Sequence, residues 1–149
     1  MRSLLHAELN FTPGDSGTTV TLPFLMPEGF QTITARMTYA PSELHDPEQT
    51  MALIEAALQA LAPMEAPGAW EKFAPLSNLI TLSLDDPNGY RGNAHRKDAR
   101  QTHVLTASDA SPGFLPGAIP PGPWRASIHI HALVTPECRT TLVIEGEET

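Results

Sequence analysis

The sequence predicts one mainly-β domain with a single inserted helix. Three observations carry this: seven short apolar segments, most with an alternating pattern; prolines and glycines that fall between those segments; and one stretch whose apolar period switches to that of a helix. Seven short strands separated by turn residues point to a sandwich or barrel. The 149 residues fit a single domain over 1–149. A domain of this size buries roughly 68–70% of the surface its unfolded chain exposes, and so needs no disulfide or metal to fold.

Thr18 to Phe24 alternates, with Val20, Leu22 and Phe24 on one side and threonines on the other. Pro23 within it predicts an edge position or a strand end, because proline cannot donate to the ladder. Gln31 to Tyr39 repeats the pattern through Ile33, Ala35, Met37 and Tyr39. The remaining strand candidates are Leu4–Phe11, Leu79–Leu84, Thr102–Ala107, Trp124–Val134 and Thr140–Glu145.

The helix is predicted over about 47–62. Asp46 takes the N-cap, Pro47 the first helical position, and Gln49 completes a capping-box spacing. Met51, Ile54, Leu58 and Leu61 recur at helical spacing as a stripe suited to core packing, and Pro63 closes the pattern. Residues 112–123 hold five prolines, which predicts a stiff, ordered connection rather than a flexible linker.

Composition narrows the function classes. A net charge of −8 argues against nucleic-acid binding, which needs cations to neutralise phosphates. No apolar run approaches the roughly 20 residues of a membrane helix, and the opening segment is broken by His6 and Glu8, unlike a signal peptide. The one cysteine, Cys138, cannot form an intrachain disulfide. A cytoplasmic chain without membrane association is the expectation.

Charge is uneven along the chain. Four of the nine Lys and Arg residues, Arg91, Arg96, Lys97 and Arg100, fall in one ten-residue stretch, with His95 among them and His103 just beyond. Such a loop on an acidic body suits either a small anion or an acidic partner, or is simply a solvated surface. Just ahead of it lies Asp86-Pro87-Asn88-Gly89, a β-turn sequence with proline preset for the second position and Asn-Gly able to take positive φ. Asp86, Asn88, Tyr90, Arg91, His95, Arg96, Lys97 and Trp124 are therefore the candidate ligand-binding residues, with Tyr90 and Trp124 as aromatic walls. The Gly-Lys-Ser/Thr of a phosphate-binding P-loop is missing.

His129 and His131 form the second constellation. Two apart on a strand, they project from one face while Ile128 and Ile130 occupy the other. Two imidazoles are half a metal site, since zinc takes three or four protein ligands; His6 with Glu8, or His103, are the candidates to complete it. The pair is similar to the His-x-His of cupins, but the preceding glycine spacing is off by one and Glu137 lies too far on. The competing reading is a polar strand face opposite a core face. Nucleophilic catalysis finds no support: nothing marks Cys138 as a low-pKa thiolate, and no Gly-x-Ser-x-Gly elbow occurs.

Several motifs, taken in order, resemble the domain that precedes the catalytic module of CehA/McbA-type PHP-domain phosphoesterases. They are an apolar strand leading into Asp86-Pro87-Asn88-Gly89, then Arg91-Gly92, then Ser111-Pro112-Gly113-Phe114-Leu115-Pro116-Gly117, then Pro121-Gly122-Pro123-Trp124 opening a long strand. An N-terminal strand followed by Pro27-Glu28-Gly29 and the strand Ile33–Tyr39 is similar as well; the helix has no counterpart. The resemblance implies a jelly-roll-like antiparallel β-sandwich. It also implies that metal ligands belong to a following module, opened by Asp-x-His-x-His near where this chain reaches Gly146-Glu147-Glu148-Thr149, so no catalytic residue is carried over.

The first functional expectation is thus a non-catalytic accessory or binding module for a small anion or a protein partner, such as a separately encoded phosphoesterase, with no cofactor. The alternative is a small metal-binding protein, hydrolytic in one version, that holds a divalent metal at His129 and His131. Self-association into a homo-oligomer through a sheet edge or the helix face is a third reading.

Overall fold

The computed structural model describes residues 1–61 and 74–148. Among them run β1 (Arg2–Phe11), β2 (Thr18–Met26), β3 (Thr32–Ala40), β4 (Glu43–Leu44), α1 (Pro47–Leu61), β5 (Leu76–Ser77), β6 (Leu79–Asp86), β7 (Gly89–Ala94), β8 (Arg100–Thr106), β9 (Gly122–Ala132) and β10 (Cys138–Glu147). The eight long strands form two antiparallel sheets in the orders β1-β10-β3-β8 and β2-β9-β6-β7. Apart from the β6–β7 hairpin, consecutive long strands alternate between sheets, which is the strand order of a jelly roll. The mainly-β sandwich with one helix is therefore the observed fold.

Period-two alternation explains the core. Ile33, Ala35, Met37 and Tyr39 all point inward from β3, as their spacing predicts, and meet Leu142 and Ile144 of β10. From the other sheet come Ile80, Leu82 and Leu84 of β6 with Trp124, Ala126, Ile128 and Ile130 of β9. Fully burying each large apolar side chain contributes about 1.5–3 kcal/mol. Pro23 sits where its missing donor costs nothing: β2 is an edge strand, paired with β9 alone.

The helix begins as its sequence dictates, with Asp46 Oδ1 accepting from the backbone N–H groups of Glu48 (2.9 Å) and Gln49 (3.1 Å). Its buried positions differ from the expected stripe. Thr50 and Ile54 are buried, whereas Met51 is exposed, so the inward face is rotated by one residue. The side chains of Leu58 and Leu61, and position 62 with Pro63, lie outside the described residues. The short β4–β5 ladder draws together the chain before the helix and the chain leading into β6.

The strand β7 is not among the seven segments the sequence predicts, which leave Asp86-Pro87-Asn88-Gly89 as a turn followed by a basic loop. It pairs with β6 across Leu82–Ala94, Ser83–Asn93 and Leu84–Gly92, and a second segment lies against its other edge. Gly92 bridges Phe114, Asn93 N–H donates to Gly113 O (3.0 Å), and Leu115 N–H donates to Arg91 O (2.9 Å). On its other side this segment reaches β8, through Ser111 N–H to Val104 O (2.9 Å) and Gly117 N–H to Thr106 O (3.1 Å). The proline-rich connection is thus ordered, and it covers the β7 and β8 edges that would otherwise expose unpaired backbone groups.

Candidate functional site

The loop between β7 and β8 carries what remains of the basic stretch. Three side-chain hydrogen bonds fix its backbone. Tyr39 Oη donates to Lys97 O (2.9 Å), and the Gln101 amide donates to Arg96 O (3.2 Å) and Asp98 O (2.8 Å). Because both amide protons are used this way, Gln101 Oε1 is the acceptor for His103, whose Nε2 lies 2.9 Å away. His103 is therefore the Nε2–H tautomer, with Nδ1 buried and unpartnered among the described residues. Burial and then the Arg96 charge hold its pKa below the ordinary 6.5.

Arg91, one of the expected ligand-binding residues, has all its acceptors within the chain. Its side chain is 7% exposed, and the guanidinium donates to Asp86 Oδ2 (3.0 Å), Ala118 O (2.8 Å), Gly117 O (3.1 Å) and Leu115 O (3.1 Å) and lies 5.3 Å over the Trp124 ring. Trp124 is fully buried and donates from Nε1 to Pro120 O (2.9 Å), so it forms no wall of a surface site. Asp86 is equally occupied: its Oδ1 accepts from the Asn88 (2.6 Å) and Gly89 (2.9 Å) backbone N–H groups. Asn88 serves that turn. Arg96 pairs with Asp98 at 2.9 Å. His95, Lys97 and Tyr90 remain exposed.

His129 and His131 do share one face, as their spacing predicts, and it is the outward face of the β2-β9-β6-β7 sheet. The cross-strand register supplies their partners. His129 Nδ1 lies 3.0 Å from Thr19 Oγ1 and its Nε2 lies 2.8 Å from Ser83 Oγ, while His131 Nε2 lies 2.8 Å from Thr81 Oγ1. Thr21 and the buried Ser127 continue the row with a 3.2 Å hydroxyl contact. A register shift between Leu79 and Ile80 leaves His131 as the extra residue on β9, a bulge of the kind that re-aims a side chain.

His95 joins this face from the loop, its ring edge-on to His131 at 5.0 Å, and His129 lies 6.1 Å from His131. Burial, then repulsion from His95 and His129, holds the His131 pKa below 6.5. The expected completions of a metal site do not arrive. His6 and Glu8 lie on β1 in the opposite sheet, and His103 points into the core. Among the described residues, no group of three His, Cys, Asp or Glu side chains is set to hold a metal ion.

Chemically, the arrangement is a set of short hydroxyl and imidazole groups that both donate and accept. The Ser83–His129 contact has the nucleophile–base spacing, but the group that orients the imidazole is the Thr19 hydroxyl rather than a carboxylate. Cys138 is buried, with Sγ 3.5 Å from Pro41 O, and burial raises its thiol pKa. The hydroxyls of Thr19, Thr81, Ser83 and Ser127 escaped the sequence reading. Alternation alone places Thr19 and Ser127 on an outward face, but only the register reveals which strands meet.

No family model matches the chain, and no curated protein matches it. Among solved structures, the chain is similar to a protein of Sulfurospirillum deleyianum known from a crystal structure, at 9% identity, with 95% of this chain and 98% of that chain covered and a TM-score of 0.35. No described helix is long and apolar enough to cross a membrane.

Proposed function

We propose that the chain is a non-catalytic binding module whose working surface is the outward face of the β2-β9-β6-β7 sheet. The observation that supports this reading most is the hydroxyl–imidazole network across three adjacent strands, in which Thr19, His129 and His131 reach solvent over the buried hydroxyls of Thr81, Ser83 and Ser127. Groups that both donate and accept, held by one another on rigid strands, lose little entropy on engaging a polar ligand. The resemblance to the accessory domain of PHP-type phosphoesterases favours the same class, with a small anion or a separately encoded phosphoesterase as partner. The test is calorimetric titration with inorganic phosphate and glucose 6-phosphate. His129→Ala and His131→Ala should each weaken binding, and unaltered affinity in both variants would remove this face from the function.

A further inference from the structure

We infer that the cleft where the β7–β8 loop meets this sheet face is a built site for a small anion carrying an apolar body, such as an organic phosphate or carboxylate with an aliphatic or aromatic tail. The inference rests on the reading of this face as the binding surface, and it names the ligand class.

The cleft has a volume of about 490 Å³ and is lined by residues 75–77, Leu79 and Ala132 together with His95 and Lys97. That volume lies within the roughly 300–1,000 Å³ of small-molecule sites, and an apolar lining with a few convergent polar groups is their usual composition. Two cationic or cationisable groups over an apolar wall select a molecule with a negative head and a hydrocarbon body. A bare inorganic ion would leave the apolar wall uncovered.

Local charge favours the same ligand. Lys97 makes no ion pair among the described residues, whereas the one carboxylate on the same loop, Asp98, is held by Arg96 at 2.9 Å. Glu43 of β4 lines the neighbouring depression with Lys97, but no carboxylate is among the described residues lining the cleft itself. The loop is also pre-shaped: Tyr39 fixes the carbonyl of Lys97, and Gln101, itself held by His103, fixes the carbonyls on either side. Holding the backbone of a cationic residue in this way removes an ordering cost from binding. His131, edge-on to His95 at 5.0 Å, places a second imidazole beside the cleft.

The test uses the full chain near neutral pH at low salt, titrated with phenyl phosphate, hexanoate, inorganic phosphate and the uncharged 1-hexanol. Phenyl phosphate or hexanoate should bind, and more tightly than inorganic phosphate or hexanol. Lys97→Ala should weaken that binding by about fivefold or more and Lys97→Glu should abolish it, as expected for a charge-assisted contact. Which anion binds best separates a phosphate ligand from a carboxylate one. Lys97 is exposed, so neither variant should alter the thermal midpoint. NMR shift mapping distinguishes the two failures. Binding that perturbs Ser127 and His129 but leaves Lys97 and Leu79 unmoved overturns the cleft while preserving the face. Absence of binding by both amphiphilic anions overturns the cleft outright, and the face is then judged by its own titration with glucose 6-phosphate.

Discussion

Arg91 and Asp86 form a buried ion pair, Nη1 to Oδ2 at 3.0 Å, with side chains 7% and 9% exposed. The pair closes the β6–β7 turn, while the remaining Arg91 donors hold the carbonyls of Leu115, Gly117 and Ala118. One side chain thus fastens the turn to the connection that covers two sheet edges. Arg91→Ala leaves Asp86 buried without its partner, a change that costs about 3–5 kcal/mol. Urea denaturation should show a midpoint lowered accordingly, and Arg91→Lys should recover only a part because one ammonium cannot reach all four acceptors.

Gly92 and Gly113 permit the closest backbone approach in that connection. A Cβ on Gly92 would meet Phe114 Cα at 2.4 Å, and one on Gly113 would meet Asn93 O at 2.2 Å; both glycines have positive φ, +121° and +91°. A Gly→Ala change at a compatible site stabilises by about 0.4–1 kcal/mol, so here the sign should reverse and the loss should exceed that amount. Thermal denaturation of Gly113→Ala checks it.

The fold and the face were unequally legible. Ile33, Ala35, Met37 and Tyr39 announce β3 because burial on one face writes a local period into the sequence, and Asp46-Pro47 announces the start of α1 through local capping. Strand β7 carries no alternating apolar period of its own, and its second edge is paired to Phe114 and Leu115, more than twenty positions away. For the same reason Arg91 read as a free cation: its acceptors are carbonyls of a distant segment, and no spacing rule encodes them. The His129–His131 face was visible from alternation, but the hydroxyls that partner it came only with the register.

His103 gives the protein a defined pH dependence. Its folded pKa lies below 6.5, chiefly through burial, so the unfolded chain binds the proton more readily. Stability from this residue is therefore present above about pH 6.5 and is lost as pH falls through the folded pKa. His131, also lowered, acts in the same direction. The unfolding free energy should decline between neutral and mildly acid pH, and the His103 ring should titrate below 6.5 when followed by NMR.

Cys138 is buried with a raised thiol pKa, so the native chain should resist thiol reagents. A disulfide-exchange dye should label it only as fast as the core opens, and the labelling rate should rise in step with denaturant.

The most direct test of the binding face is amide and imidazole shift mapping by NMR while glucose 6-phosphate and phenyl phosphate are added. Shifts should gather on Thr19, Thr81, Ser83, Ser127, His129 and His131 and extend to His95 and Lys97. Shifts confined to the β1-β10-β3-β8 sheet, or no shifts with either ligand, would contradict this placement.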